Sequence, residues 1–310
     1  MKFRFLLISI FFYCLLWSSS AQSYQDAANH ACLKCHSNQT FTFHNELMDS
    51  EDRRLMNPFY ILDTVALVAG VHNQFDCLDC HSYDYETYPH AANLKLEPLG
   101  TCLDCHGGDD SFASYQFEKI LEETEKSIHS QICGEKFTCE KCHSQHTYAT
   151  TARTSNNVMD IVEYSNNMCL SCHNDMTKFQ LVSGEQNAQL VQVHDWLPNQ
   201  ELHFKHVRCI ECHTNVVDDL MVSHNILGKE QAVKNCVECH KANSRLKSSL
   251  YKYQNLQSRS DDGTFNAVLS NQSYVIGTHQ SPLLKLLSII IFIATFGGVV
   301  VHSIFRIFKK

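Results

Sequence analysis

Cys-x-x-Cys-His occurs seven times along this chain, and no other feature constrains its folding as tightly. The motifs are Cys32, Cys35 and His36; Cys77, Cys80 and His81; Cys102, Cys105 and His106; Cys139, Cys142 and His143; Cys169, Cys172 and His173; Cys209, Cys212 and His213; and Cys236, Cys239 and His240. They take up 14 of the 16 cysteines and leave Cys14 and Cys133 over. One pattern repeated seven times calls for one chemical explanation before any choice of fold. Positions i, i+3 and i+4 of a helical turn share a face. Each motif therefore turns two thiols and an imidazole toward one flat ligand. Two thiols can add across the two vinyl groups of a haem, and the histidine then supplies an axial nitrogen to its iron. The expected cofactor is c-type haem (heme c), seven covalent groups on the fourteen motif cysteines. His36, His81, His106, His143, His173, His213 and His240 are the expected proximal ligands.

Zinc and disulfides compete for the same cysteines. Paired CxxC sequences can hold a tetrahedral zinc ion, and a CxxC pair can close on itself. Neither chemistry requires histidine directly after every second cysteine. Histidine is 19 of 310 residues, so chance would place it there seven times with a probability of roughly 10⁻⁹.

Further histidines remain. His44, His72, His90, His129, His146, His203 and His224 stand at short distances before or after motifs, and His194 lies between the fifth and sixth. They are the distal candidates, one more than seven irons need. His30, His206 and His279 are weaker candidates by position. Met48, Met56, Met159, Met168, Met176 and Met221 could serve as sixth ligands, but the surplus of histidine favours two imidazoles per iron, and so lower potentials. The methionines are read as packing residues.

Both ends of the chain are apolar. Residues 1–21 carry Lys2 and Arg4, an apolar run and small residues at Ser19 and Ala21, the pattern of a signal peptide; the alternative is an uncleaved anchor. From 283 to 308 the sequence is long and apolar enough for one transmembrane helix, followed by the tail 309–310. The alternative there is a buried core helix. Residues 255–282 are polar and read as a juxtamembrane linker. His302 falls within the span, where ligation of a b-type haem shared with a partner is the less favoured role. The formal charge is −8; setting aside the five cations Lys2, Arg4, Arg306, Lys309 and Lys310 makes the exported body −13. That argues against a nucleic-acid partner.

Residues 22–254 form the expected heptahaem body. They give each haem too few residues for an apolar core of its own, so the porphyrins must be the core. The fold class expected is mainly α with extensive loop, a haem-cored body plus one C-terminal transmembrane helix. Asn57-Pro58 predicts a helix running to Gly70 and delivering His72. The apolar spacing of Phe117, Ile120, Leu121, Thr124 and Ile128 predicts another over 114–129, with His129 at its end. Residues 233–253 are predicted helical, and no run of alternating strand residues is read.

The seven motifs, the added histidines and the export signal resemble the class III type, multihaem c-type cytochromes of bacterial respiratory chains. The stretches from Cys139 to His146 and from His224 to Tyr251 look like those of membrane-linked multihaem subunits. The resemblance implies a place in the bacterial inner membrane with the haem domain in the periplasm. It implies as partners a membrane cytochrome b or other quinone-linked subunit and a periplasmic redox partner. The function expected is electron relay rather than catalysis. The rival is a reductase of nitrite, hydroxylamine or a sulfur oxyanion, which needs one iron with an open position; a filament-forming assembly protein is a third reading. All seven motifs end in histidine, which favours relay.

Overall fold

The computed structural model describes residues 22–96, 100–134, 137–183, 189–241, 243–261, 273, 275 and 282–308. The expected signal (1–21), Cys14, the tail (309–310), His279 and most of the expected linker lie outside the described residues. The fold is mainly helical with long loops, one two-stranded hairpin and one long apolar C-terminal helix. The chain divides into two compact units, residues 1–105 with 138–150, and residues 106–137 with 151–310.

In the first unit the helix Gln22–His36 ends in the first motif. Strands Thr40–Asn45 and Ser50–Leu55 then pair antiparallel, with Thr40 opposite Leu55 and Asn45 opposite Ser50. This hairpin corrects the expectation of no strands. Thr-Phe-Thr-Phe is a short alternation of strand-favouring residues. Phe41 and Phe43 pack on Tyr88 at centroid distances of 5.3 and 4.7 Å. The helix expected from Asn57 to Gly70 is two pieces. Asn57 caps the short 3-10 turn Pro58–Tyr60. Asp63 then caps a separate helix, Thr64–Ala69, taking the amides of Val65 and Ala66. An N-cap residue has extended backbone, so Asp63 breaks the run. The chain still arrives at His72 through Gly70.

In the second unit the helix Val158–His173, capped by Asn157, ends in the fifth motif. Its Ile161 and Val162 pack with Leu246, Leu250, Tyr251 and Val275. The helix expected over 114–129 is broken at Ser127 into Phe117–Lys126 and Ile128–Cys133. The Ser127 hydroxyl accepts the His129 amide, so His129 opens the second helix instead of closing the first. The segment 233–253 is likewise not one helix: Cys236–Cys239 is followed by the 3-10 turn Arg245–Ser248, and the helix Lys252–Asp261 then runs across residue 255.

Apolar burial is sparse. Among the described residues Leu94 is the one buried hydrophobic side chain of the first unit, and the second unit has seven. Meanwhile Phe59 is 81% and Val65 80% exposed. Met48 (75%) and Met176 (56%) are also exposed, so these two are not packing residues within the chain. A protein interior of this size needs far more buried apolar surface to offset the entropy of folding.

The helix Pro282–Phe308 is apolar over Leu283–Phe308, 26 residues, and none of it is buried in the chain. It is long enough to cross a bilayer and fits a single membrane anchor.

Candidate functional site

Each motif sits on a helical turn, some α and some 3-10. Even on the 3-10 turns the histidine amide bonds back to the first cysteine carbonyl: His81 to Cys77 and His143 to Cys139, both 2.9 Å. The same bond joins His213 to Cys209 at 3.1 Å and His240 to Cys236 at 2.9 Å. This i to i+4 closure holds both thiols and the imidazole on one side of the turn.

The motif histidines do not stand alone. His36 faces His90, ring centroids 6.3 Å apart and 9° from parallel. His81 faces His146 at 5.9 Å and 17°. In the second unit His173 lies 6.0 Å from His129, His213 6.1 Å from His194, and His240 6.2 Å from His203. Two imidazoles bound to one metal at about 2 Å per nitrogen, each ring centre about 1 Å behind its nitrogen, stand roughly 6 Å apart. Five expected proximal ligands thus each meet one expected distal candidate at that spacing. Among the described residues no three His, Cys, Asp or Glu side chains converge on one point.

Backbone carbonyls orient these rings. Nδ1 of His36 lies 2.9 Å from the Tyr60 oxygen, of His90 2.8 Å from Thr87, of His194 2.7 Å from Leu190, and of His213 3.0 Å from Leu227. His72, His203 and His224 have the same arrangement with Gln145 (3.4 Å), Asn199 (3.2 Å) and Val222 (3.0 Å). A carbonyl can only accept, so Nδ1 carries the proton and Nε2 is left as the metal-binding nitrogen. His44 differs. Its Nε2 and Nδ1 each lie 3.5 Å from a carboxylate, of Asp49 and Glu51, and its side chain is 53% exposed. Among the eight candidates it is the one whose two ring nitrogens both face carboxylates. His30 and His206 are exposed on the surface.

Burial also keeps the rings uncharged. It lowers the pKa of His129 to about 4, assisted by His173 and His213, and lowers those of His81 and His173. A neutral imidazole is the form that binds a metal.

The cysteines meet in an alternating order. The first cysteines of motifs one and two, Cys32 and Cys77, are in contact. So are those of motifs three and four, Cys102 and Cys139, and of motifs five and six, Cys169 and Cys209. Second cysteines link the others: Cys80 lies within electrostatic reach of Cys105, and Cys212 of Cys239. Cys77 is pushed up to about 11 by burial and then by Cys32. The hydrogen bond shared by Cys102 and Cys139 raises the first and lowers the second. As thioethers these sulfurs would no longer titrate, but their spacing would persist.

Two asparagines clamp such pairs. Asn29 accepts the Cys77 amide at 2.7 Å and donates to the Phe75 carbonyl at 3.2 Å. Asn166 accepts the Cys209 amide at 2.8 Å and donates to the Phe204 and Val207 carbonyls at 2.9 and 3.1 Å. Each stands three residues before its own motif, in an Asn-x-x-Cys-x-x-Cys-His string that motifs one and five share. Sequence reasoning missed both, although that string was the visible signal. Asn166→Ala strands three partly buried backbone groups and is expected to cost about 1–3 kcal/mol, read as a lower guanidinium midpoint of the detergent-solubilised chain. A midpoint unchanged from wild type would show the clamp to be dispensable.

These features fit covalent c-type haem: paired thiols on a helical turn at every motif, an imidazole pair at iron-spanning distance at five of them, and apolar side chains left uncovered. Comparison with known proteins agrees. The cytochrome c3 family matches residues 70–157, a stretch that contains motifs two to four with His72, His90, His129 and His146. No curated protein and no solved structure matches the chain.

Proposed function

We propose that this multihaem c-type cytochrome carries seven covalently bound haems and relays electrons between a quinone-linked membrane partner, such as a cytochrome b, and periplasmic redox proteins. When bound, haem supplies a reversible one-electron couple at its iron. The chain's residues do the rest. The fourteen motif cysteines fix the groups, and the motif histidines hold one axial position. His72, His90, His129, His146, His194, His203 and His224 close the other, and carbonyl anchors keep Nε2 aimed on His72, His90, His194, His203 and His224.

The observation that carries this reading is the imidazole pairing. A position closed by a second histidine is not open to substrate, and two imidazoles favour low potentials suited to a quinone-linked chain. The alternating cysteine contacts support relay, because sulfurs bonded to successive porphyrins would bring their edges together along 1-2-3-4 in one unit and 5-6-7 in the other. The apolar C-terminal helix supports a membrane tether, and the acidic body supports a basic docking partner.

The test is a haem count by pyridine haemochrome together with the electron paramagnetic resonance spectrum of the oxidised, detergent-solubilised chain. Seven haems, all low-spin, are expected. One high-spin haem in seven would overturn the relay reading in favour of a reductase. The place to look would be beside His106, where a cavity of about 210 Å³ is lined by Asp109, Asp110, Phe112 and Glu118. Nitrite, hydroxylamine and sulfur oxyanions would then be the substrates to try.

A further inference from the structure

Two segments of the first unit run against each other closely enough to bring a distal candidate to the fourth motif. The Val71 amide donates to the Tyr148 carbonyl at 2.9 Å. Nδ1 of the next residue, His72, lies 3.4 Å from the Gln145 carbonyl. Gly70 lets the backbones approach: a Cβ there would lie 3.2 Å from the His146 oxygen and 3.4 Å from the Tyr148 oxygen. The short stretch 70–72 is thereby pinned along 145–148. The second stretch is the tail of the fourth motif, whose His143 ring packs edge-on against Tyr148 at 5.0 Å.

The pinned stretches belong to motifs two and four. His72 stands five residues before Cys77, and His146 stands three after His143. His146 already faces His81 of motif two. On the Gln145 carbonyl, the His72 ring is set close to the turn that presents His143, and a proton on Nδ1 makes Nε2 the metal-binding nitrogen. An edge contact with Phe75 at 5.8 Å helps to hold its plane.

We propose that His72 is the second axial ligand of the iron held by His143, so that motifs two and four exchange ligands. Residues 72–81 then supply the distal imidazole of the fourth haem and the proximal imidazole of the second. Residues 143–146 supply the proximal imidazole of the fourth and the distal imidazole of the second. The exchange locks the two haems into one rigid element, with neither movable without breaking a metal bond of the other. This inference rests on the reading that the motifs carry haem.

The experiment uses the full haem-loaded chain in detergent. His72→Gly is expected to keep seven haems and turn one of them high-spin, with added imidazole restoring the low-spin spectrum. In a Cys139→Ser/Cys142→Ser background, which should hold six haems, the same substitution is expected to add no high-spin signal. Where that background does not accumulate, His143→Met serves. Alone or combined with His72→Gly it should alter a single haem, because both residues address one iron. A low-spin His72→Gly protein, a high-spin signal that survives loss of the fourth haem, or two altered haems in the double variant would overturn the exchange while leaving the seven-haem reading intact. A wild-type chain without covalent haem would remove that reading itself.

Discussion

A chain matured without haem is expected to show no cooperative unfolding transition and to be digested by protease within the first minutes of a time course that leaves the haem-loaded chain intact. The physical ground is the near absence of a protein core. Leu94 is the buried hydrophobic of the first unit among the described residues, and the larger cluster of the second unit is built on Ile161, Val162, Leu246, Leu250, Tyr251 and Val275. Burying one Val, Leu or Phe side chain contributes about 1.5–3 kcal/mol, whereas ordering each residue's backbone costs about 1–2 kcal/mol. A handful of such side chains cannot hold two units. Porphyrin faces laid against Phe59, Val65 and Val68, all now exposed, would supply the missing surface. Thermal scans by far-ultraviolet circular dichroism, run on the detergent-solubilised wild type and on a variant with all fourteen motif cysteines changed to serine, make the comparison. An equally sharp transition in the serine variant would show that the polypeptide folds unaided.

The second large effect is expected at Glu211, which lies inside the sixth motif between Cys209 and Cys212. Its side chain is 1% exposed and that of Arg208 is 4% exposed. The Glu211 carboxylate accepts from Arg208 at 2.6 Å (Nε) and 2.5 Å, and also from the Ser249 hydroxyl. Glu211→Ala leaves a guanidinium buried without its counter-charge, a situation that costs about 3–5 kcal/mol. The midpoint of guanidinium unfolding should fall accordingly. Replacing both partners, Arg208→Met with Glu211→Leu, removes the stranded charge and should recover most of the loss. A loss below roughly 1 kcal/mol in the single variant, the range of exposed pairs, would mean that water reaches the site.

The chemistry of this protein is written in short strings, and its connectivity is not. Attachment of one haem needs two thiols and an imidazole within five residues, so every motif could be read directly. Distal ligands face no such limit. His36 meets His90 and His81 meets His146 across whole intervening motifs, and only tertiary structure brings them together. The sequence could list eight distal candidates but not set His44 apart from the rest, since its contacts with Asp49 and Glu51 depend on the hairpin that brings them together. That hairpin was itself hard to see, because six residues of alternation are a weak signal beside long apolar runs. Helix boundaries failed for a related reason. Asp63 and Ser127 look like ordinary polar positions within helical spacing, yet each turns its oxygen onto following amides and restarts the chain.

Ring pairs so far apart along the chain also impose an order in time. A polypeptide that enters its compartment from the N-terminus presents His36 well before His90, and His81 well before His146. If these motifs carry haem as proposed, the earlier irons would for that interval have a single protein ligand and stand open to water, oxygen or stray anions. Completion of the first unit waits on residues 138–150, which the chain reaches only after passing through the opening part of the second. The first unit cannot be finished before the second has begun, so on the proposed reading a truncation or stall between residues 106 and 137 would leave half-ligated iron rather than a smaller electron relay.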